Sequence, residues 1–206
     1  MPTPVGHSII GLGVALACSP DRRLKDLLAD RGTLLMAVVL ANLADADLLV
    51  GLLVFGKAAS YHGYFTHSVF FAVLVAGLAT LLPWPAVAAW RRFVFALALL
   101  LSHPLADMLQ SPWGAGFFRG LGVRVFAPWS QERWSLPVSL LLGVEFQTWR
   151  QALSVRSVVV VLLEILVLLP LLLLVDALRG ARAPAAGSAP AAYAPARSEA
   201  PGRAHR

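Results

Sequence analysis

The stretch RSVVVVLLEILVLLPLLLLVDAL, residues 156–178, decides what kind of protein this is. Between Val158 and Val175 its only ionisable side chain is Glu164. An apolar run of about 20 residues is what a hydrocarbon core of ~30 Å requires of an α-helix. The whole chain agrees: of 206 residues, 58% are hydrophobic and 14% charged, and the mean hydropathy is +0.73. Soluble domains carry about 25% charged residues. The fold class expected is therefore all-α, a polytopic membrane helix bundle.

Outward from that stretch, four more apolar helices are expected, at about 5–18, 33–55, 67–83 and 92–110. That makes about five transmembrane helices, the first of them short for a crossing. SLPVSLLLGVEF, 135–146, is too short to span and reads as an interfacial or re-entrant segment. SPWGAGFFRGLGVRVFAPWSQERW, 111–134, is rich in Trp, Gly and Pro, and its tryptophans suit a membrane–water interface. Residues 1–179 read as one transmembrane domain, and 180–206 as a disordered Ala/Pro/Arg-rich cytoplasmic tail. No internal repeat is visible.

The formal charge of +6 and pI near 10.4 do not point to nucleic acid, because the basic residues form no aromatic-interleaved face. They report topology instead. With the N-terminus outside and five crossings, Arg22, Arg23, Lys25, Arg31, Arg91, Arg92 and the five arginines from Arg179 onward are cytoplasmic. The one cysteine, Cys18, excludes an internal disulfide and a thiolate zinc cage. ALACS around it lacks the basic n-region of a signal peptide, so Cys18 is expected to be a small buried apolar residue.

Against this apolar background, seven polar residues are out of place: His7, Asp45, Asp47, His62, His67, His103 and Asp107. An ionisable group at membrane depth is costly unless paired and is by default a functional-site candidate. Asp45 and Asp47 lie roughly 18–21 Å along the second helix, and His103 and Asp107 roughly 16–22 Å along the fourth. His7, His62 and His67 stand at outer helix ends. Alternating helix direction brings all seven into one extracytoplasmic layer.

His103 and Asp107, four apart, share a helix face. Pro104 is expected to kink that helix. His62 and His67 can both point inward only if His62 lies in a loop, with Thr66 or Ser68 as the cap. Asp45 and Asp47, two apart, cannot share a helical face, so one is expected to ligate while the other serves as base or supporting acceptor. Imidazoles with carboxylates suit Zn²⁺, Mn²⁺ or Fe²⁺. A divalent metal with open positions activates water and polarises an ester or phosphoryl oxygen. Glu164 has no evident partner, and Glu145 is placed at the interface.

At these residues the chain resembles the YdjM-like family of inner-membrane metal-dependent hydrolases. The likeness rests on GHSIIG (6–11), ADAD (44–47), HGYFTHS (62–68), HPLAD (103–107) and APWS (127–130), in order over about residues 1–135. The resemblance implies metal ligands at His7, Asp47, His62, His67, His103 and Asp107, and a bacterial inner-membrane location. The family pattern has Pro-Asp-x-Asp and His-Arg-Gly where this chain has Ala44 before Asp45 and Gly63 after His62.

The function expected is a membrane-embedded hydrolase of a lipid or other (phospho)ester, with zinc the first choice of metal. Asp45 or Asp47 would be the general base. The alternatives are a metal-ion transporter or channel, and a structural membrane protein with a buried polar cluster. The expected partners are the lipid bilayer and a lipid substrate, not nucleic acid.

Overall fold

Helix formation begins at Thr3, whose hydroxyl accepts from the Gly6 amide, with Pro4 supplying the fixed φ of a first helical position. In the computed structural model, residues 2–58, 62–82, 87–111, 120, 122–144 and 149–182 are described. They are mostly helical: α1 Pro4–Ala17, α2 Leu24–Ala29, α3 Arg31–Asn42, α4 Ala46–Phe55, α5 Val69–Ala79, α6 Ala89–Met108, α7 Trp149–Ala152 and α8 Val155–Arg182. Two-residue strands β1 (Gln110–Ser111) and β2 (Leu141–Leu142) pair in parallel after α6.

α1 is the hub, packing against α3, α6 and α8, while α5 packs on α6. The contact faces are built from small residues: Ala37, Ala41, Ala72, Ala76, Ala79 and Ala96 are all buried. Small side chains let helix backbones approach closely where lipid offers no hydrophobic contrast. Gly11 shows the limit of that approach. A Cβ there would lie 2.7 Å from the Ala41 Cβ and 2.9 Å from the Ala37 carbonyl oxygen. Large apolar side chains point outward instead, among them Leu162, Leu166 and Leu173 on α8.

Two helical units are long and apolar enough to cross a membrane, Arg31–Phe55 and Val155–Ala181. α1 and α5 are apolar but only 14 and 11 residues long. The expected helix over 33–55 is interrupted: a 3₁₀ turn at Leu43–Asp45 separates α3 from α4. α4 ends at Gly56, whose φ of +66° is the left-handed conformation glycine adopts freely.

One expectation needs correction. Cys18 is exposed rather than buried, because it is the residue at which α1 ends. α6 continues through Pro104 to Met108, with the proline inside the helix. Proline removes only one intrahelical bond, and here it falls in the penultimate turn. Residues 135–144 hold no helix and carry β2; the Leu136 and Leu140 amides tie them to the Met108 and Leu109 carbonyls (3.0 and 2.7 Å). Glu145, Trp113 and the tail beyond residue 182 lie outside the described residues.

Candidate metal centre

Six elements deliver all seven residues to one place. His7 comes from the first turns of α1, Asp45 from the 3₁₀ turn and Asp47 from the start of α4. His62 lies in a turn, His67 in a second 3₁₀ turn at Phe65–His67, and His103 and Asp107 on one face of α6. The Ser68 hydroxyl caps α5 by accepting from the Phe71 amide at 3.2 Å. That leaves Thr66 free for another task.

The 3₁₀ turn removes the obstacle that regular helix geometry put in the way of Asp45 and Asp47. Tighter winding changes the angle between them, and both carboxylates face the same histidines. Asp45 Oδ1 lies 3.2 Å from His103 Nε2 and 3.7 Å from His67 Nε2. Asp47 Oδ1 lies 3.0 Å from His62 Nδ1, and its Oδ2 3.5 Å from His67 Nδ1. Asp107 Oδ2 lies 3.3 Å from His67 Nε2 and 3.5 Å from His103 Nε2, while its Oδ1 is 3.7 Å from His7 Nε2. The His7 and His103 rings stack 3.7 Å apart.

Hydrogen bonds at the back of the rings set the tautomers. His103 Nδ1 is 2.7 Å from the Ala41 carbonyl oxygen, which can only accept, so Nδ1 carries the proton. That carbonyl belongs to the last turn of α3, where it has no partner along the helix. Thr66 Oγ1 donates to Asp47 Oδ2 at 2.7 Å and so can accept from His67 Nδ1 at 3.1 Å. In their neutral forms both rings present Nε2 lone pairs to the centre, 3.2 Å apart. Two lone pairs facing each other beside two carboxylates call for a cation.

The remaining atoms agree. Both nitrogens of His7 and all four carboxylate oxygens of Asp45 and Asp107 are buried without a hydrogen-bond partner. Unsatisfied carboxylates in an apolar interior cost several kcal/mol each by order of magnitude. Three overlapping triads have ligand atoms within 4.8 Å of one another: His7–His103–Asp107, Asp45–His67–His103 and Asp47–His62–His67. The donor set is imidazole and carboxylate, the chemistry of a site for Zn²⁺ or a similar divalent ion. The cluster can hold a metal ion.

Residue types alone did not reveal how the ligands are held. The Gly63 amide donates to Asp47 Oδ2 at 3.2 Å, from a backbone at φ +79° that favours glycine. The Ala41 carbonyl could be found only once the helix break at Asn42 was known. Glu164 also has a partner after all: its carboxylate accepts from the Thr3 amide at 2.7 Å and from the Thr3 hydroxyl.

No curated protein and no solved structure matches the chain. The family model described as YdjM inner membrane protein matches residues 1–182, which takes in all seven residues of the cluster and α8 as well. The chain belongs to the YdjM inner membrane protein family.

Proposed function

We propose that this chain is a multi-pass membrane hydrolase that uses a divalent metal, zinc first, against a lipid or other (phospho)ester. The observation that carries this is the convergence of four histidines and three aspartates in which both nitrogens of His7 and all four carboxylate oxygens of Asp45 and Asp107 are buried without a hydrogen-bond partner. A bound ion would supply Lewis acidity, generating a nucleophile from water near neutral pH and polarising the scissile group. His7, His62, His67, His103, Asp47 and Asp107 are its ligands. Thr66, the Gly63 amide and the Ala41 carbonyl fix the direction of those ligands, which orients them before substrate arrives. Asp45 is the general base of choice. Asp47 is engaged by His62, Gly63 and Thr66, whereas neither oxygen of Asp45 has a hydrogen-bond partner, so Asp45 is the one able to take a proton.

On this reading α1, the α3–α4 unit, α5, α6 and α8 make five crossings, with the cluster in the extracytoplasmic half of the inner membrane. Arginine placement supports this orientation. Arg22, Arg91 and Arg92 line one cavity of about 760 Å³ with Cys18, at the far end of α1 from His7. The test is hydrolysis of phospholipid and other ester substrates by protein in detergent, with and without a chelator. Zinc-dependent release that falls about 100-fold or more in Asp45→Asn supports the proposal. Turnover unaffected by chelation would remove it, and metal flux through reconstituted vesicles would favour a transporter.

A further inference from the structure

Beside the cluster, residues 122–134 double back on themselves. Val123 and Trp134 exchange both backbone hydrogen bonds, at 2.9 and 2.8 Å. Arg124 and Arg133 stand on the inner side of this isolated bridge, each one residue on from a bridged partner. Burial and the neighbouring Arg124 together push the Arg133 guanidinium below its ordinary range. Arg124 is stacked on the Tyr64 ring, with Cζ 4.0 Å from the centroid. Its Nε and Nη1 are buried and have no hydrogen-bond partner. Two guanidinium groups held together, one with unsatisfied donors, form a fork suited to a tetrahedral oxyanion.

The pair sits at the mouth of the metal centre. Tyr64 lies between His62 and His67, and its carbonyl accepts from the His67 amide at 3.1 Å. The Val69 amide, at the start of α5, donates to the Val125 carbonyl at 2.9 Å. The same loop carries exposed Phe126, Trp129 and Trp134, with Trp129 packed on Phe70 at 3.9 Å. Such aromatics favour the headgroup layer of a bilayer.

We propose that Arg124 and Arg133 form an anion site that receives the phosphate of an anionic phospholipid at the mouth of the His/Asp cluster. As a substrate site it deepens, and rests on, the hydrolase proposed above; as a binding site it stands alone. Protein in dodecyl maltoside is titrated with phosphatidylglycerol and, separately, phosphatidylcholine. Bound lipid is read by native mass spectrometry, and zinc content is read on the same samples.

The expected result is preferential retention of phosphatidylglycerol, lowered about tenfold or more in R124Q/R133Q with zinc unchanged. Equal retention by parent and variant overturns the proposal, as does a parent that treats the two lipids alike. If the double variant does not fold, R124Q leaves the Arg133 bond to the Gly122 carbonyl in place. It must lower retention in the same direction, and no change there also overturns the site. Displacement of the lipid by millimolar inorganic phosphate assigns recognition to the phosphate group alone. Persistence assigns it to the phospholipid. A parent that binds phosphatidylglycerol yet hydrolyses nothing keeps the anion site and removes the hydrolase.

Discussion

Asp47 accepts from Thr66 Oγ1, the Gly63 amide and His62 within 3.2 Å, so its carboxylate is fixed before any ion arrives. Thr66 also contacts His67 Nδ1, which makes one hydroxyl responsible for two of the candidate ligands. Thr66→Val keeps the volume and removes that hydroxyl. Metal affinity, measured by competition with a chromogenic chelator, should fall about 10–100-fold while the helical signal is unchanged. An unaltered affinity would mean that Thr66 does not orient the ligands. Asp30 allows a different residue-level test at the opposite surface. The hydrogen bond from Arg22, then those from the Thr33 side chain and amide, hold its carboxyl down to about 2. A depressed folded-state pKa stabilises above the unfolded value of about 3.9 and is lost as the pH falls through the folded value. The difference in melting temperature between the parent and Asp30→Asn should be largest above about pH 4 and close as the pH falls towards 2. A difference that grows on acidification would contradict this pairing.

At the scale of elements, close helix approach and helix interruption do most to shape the centre. α1 meets α3 at Gly11, where an added Cβ collides with Ala41 and the Ala37 carbonyl. Ala41 is also the residue whose carbonyl holds His103, so spreading this contact disturbs the ligand as well as the packing. Gly11→Ala should cost about 1–3 kcal/mol of stability in detergent unfolding. Gly77→Ala in α5, with open space around it, should be neutral or gain about 0.5–1 kcal/mol from helix propensity. Equal effects at both positions would show that the α1–α3 contact is looser than described.

Much of this layer was legible in the sequence, because membrane depth can be counted in residues. His103 and Asp107 share a face by helical period, and Gly63 marked the loop that carries His62. The helix break at 43–45 was not legible. LADADLL holds no proline or glycine, and only tertiary contact with the histidines rewards bending it there. Regular helix geometry therefore kept Asp45 and Asp47 apart when the fold brings both inward. Cys18 was misplaced for a related reason: composition suggests burial, whereas a helix end exposes it.

Over the whole molecule, α8 is the strap that fixes the α1 hub at both ends. At one end the Glu164 carboxylate, 2% exposed, accepts from the Thr3 amide and hydroxyl across 161 positions of sequence. At the other, Arg23 Nε and Nη2 donate to the Asp176 carboxylate at 2.9 and 2.8 Å, and Arg179 donates to the Leu16 carbonyl. Glu164 was the one ionisable residue between Val158 and Val175, and its role is to hold the start of the helix that carries His7. Glu164→Ala leaves the buried Thr3 donors unsatisfied and should cost about 1–3 kcal/mol. It should also loosen metal binding through His7; thermal unfolding read beside chelator competition would test both.

The most direct measurement is metal content, by mass spectrometry, of detergent-purified parent and of a His103→Ala/Asp107→Ala variant that keeps its helical signal. A divalent-metal centre predicts one or more equivalents in the parent and a clear loss in the variant. A parent that stays metal-free after incubation with Zn²⁺ or Mn²⁺ would contradict it, leaving the seven polar residues as packing.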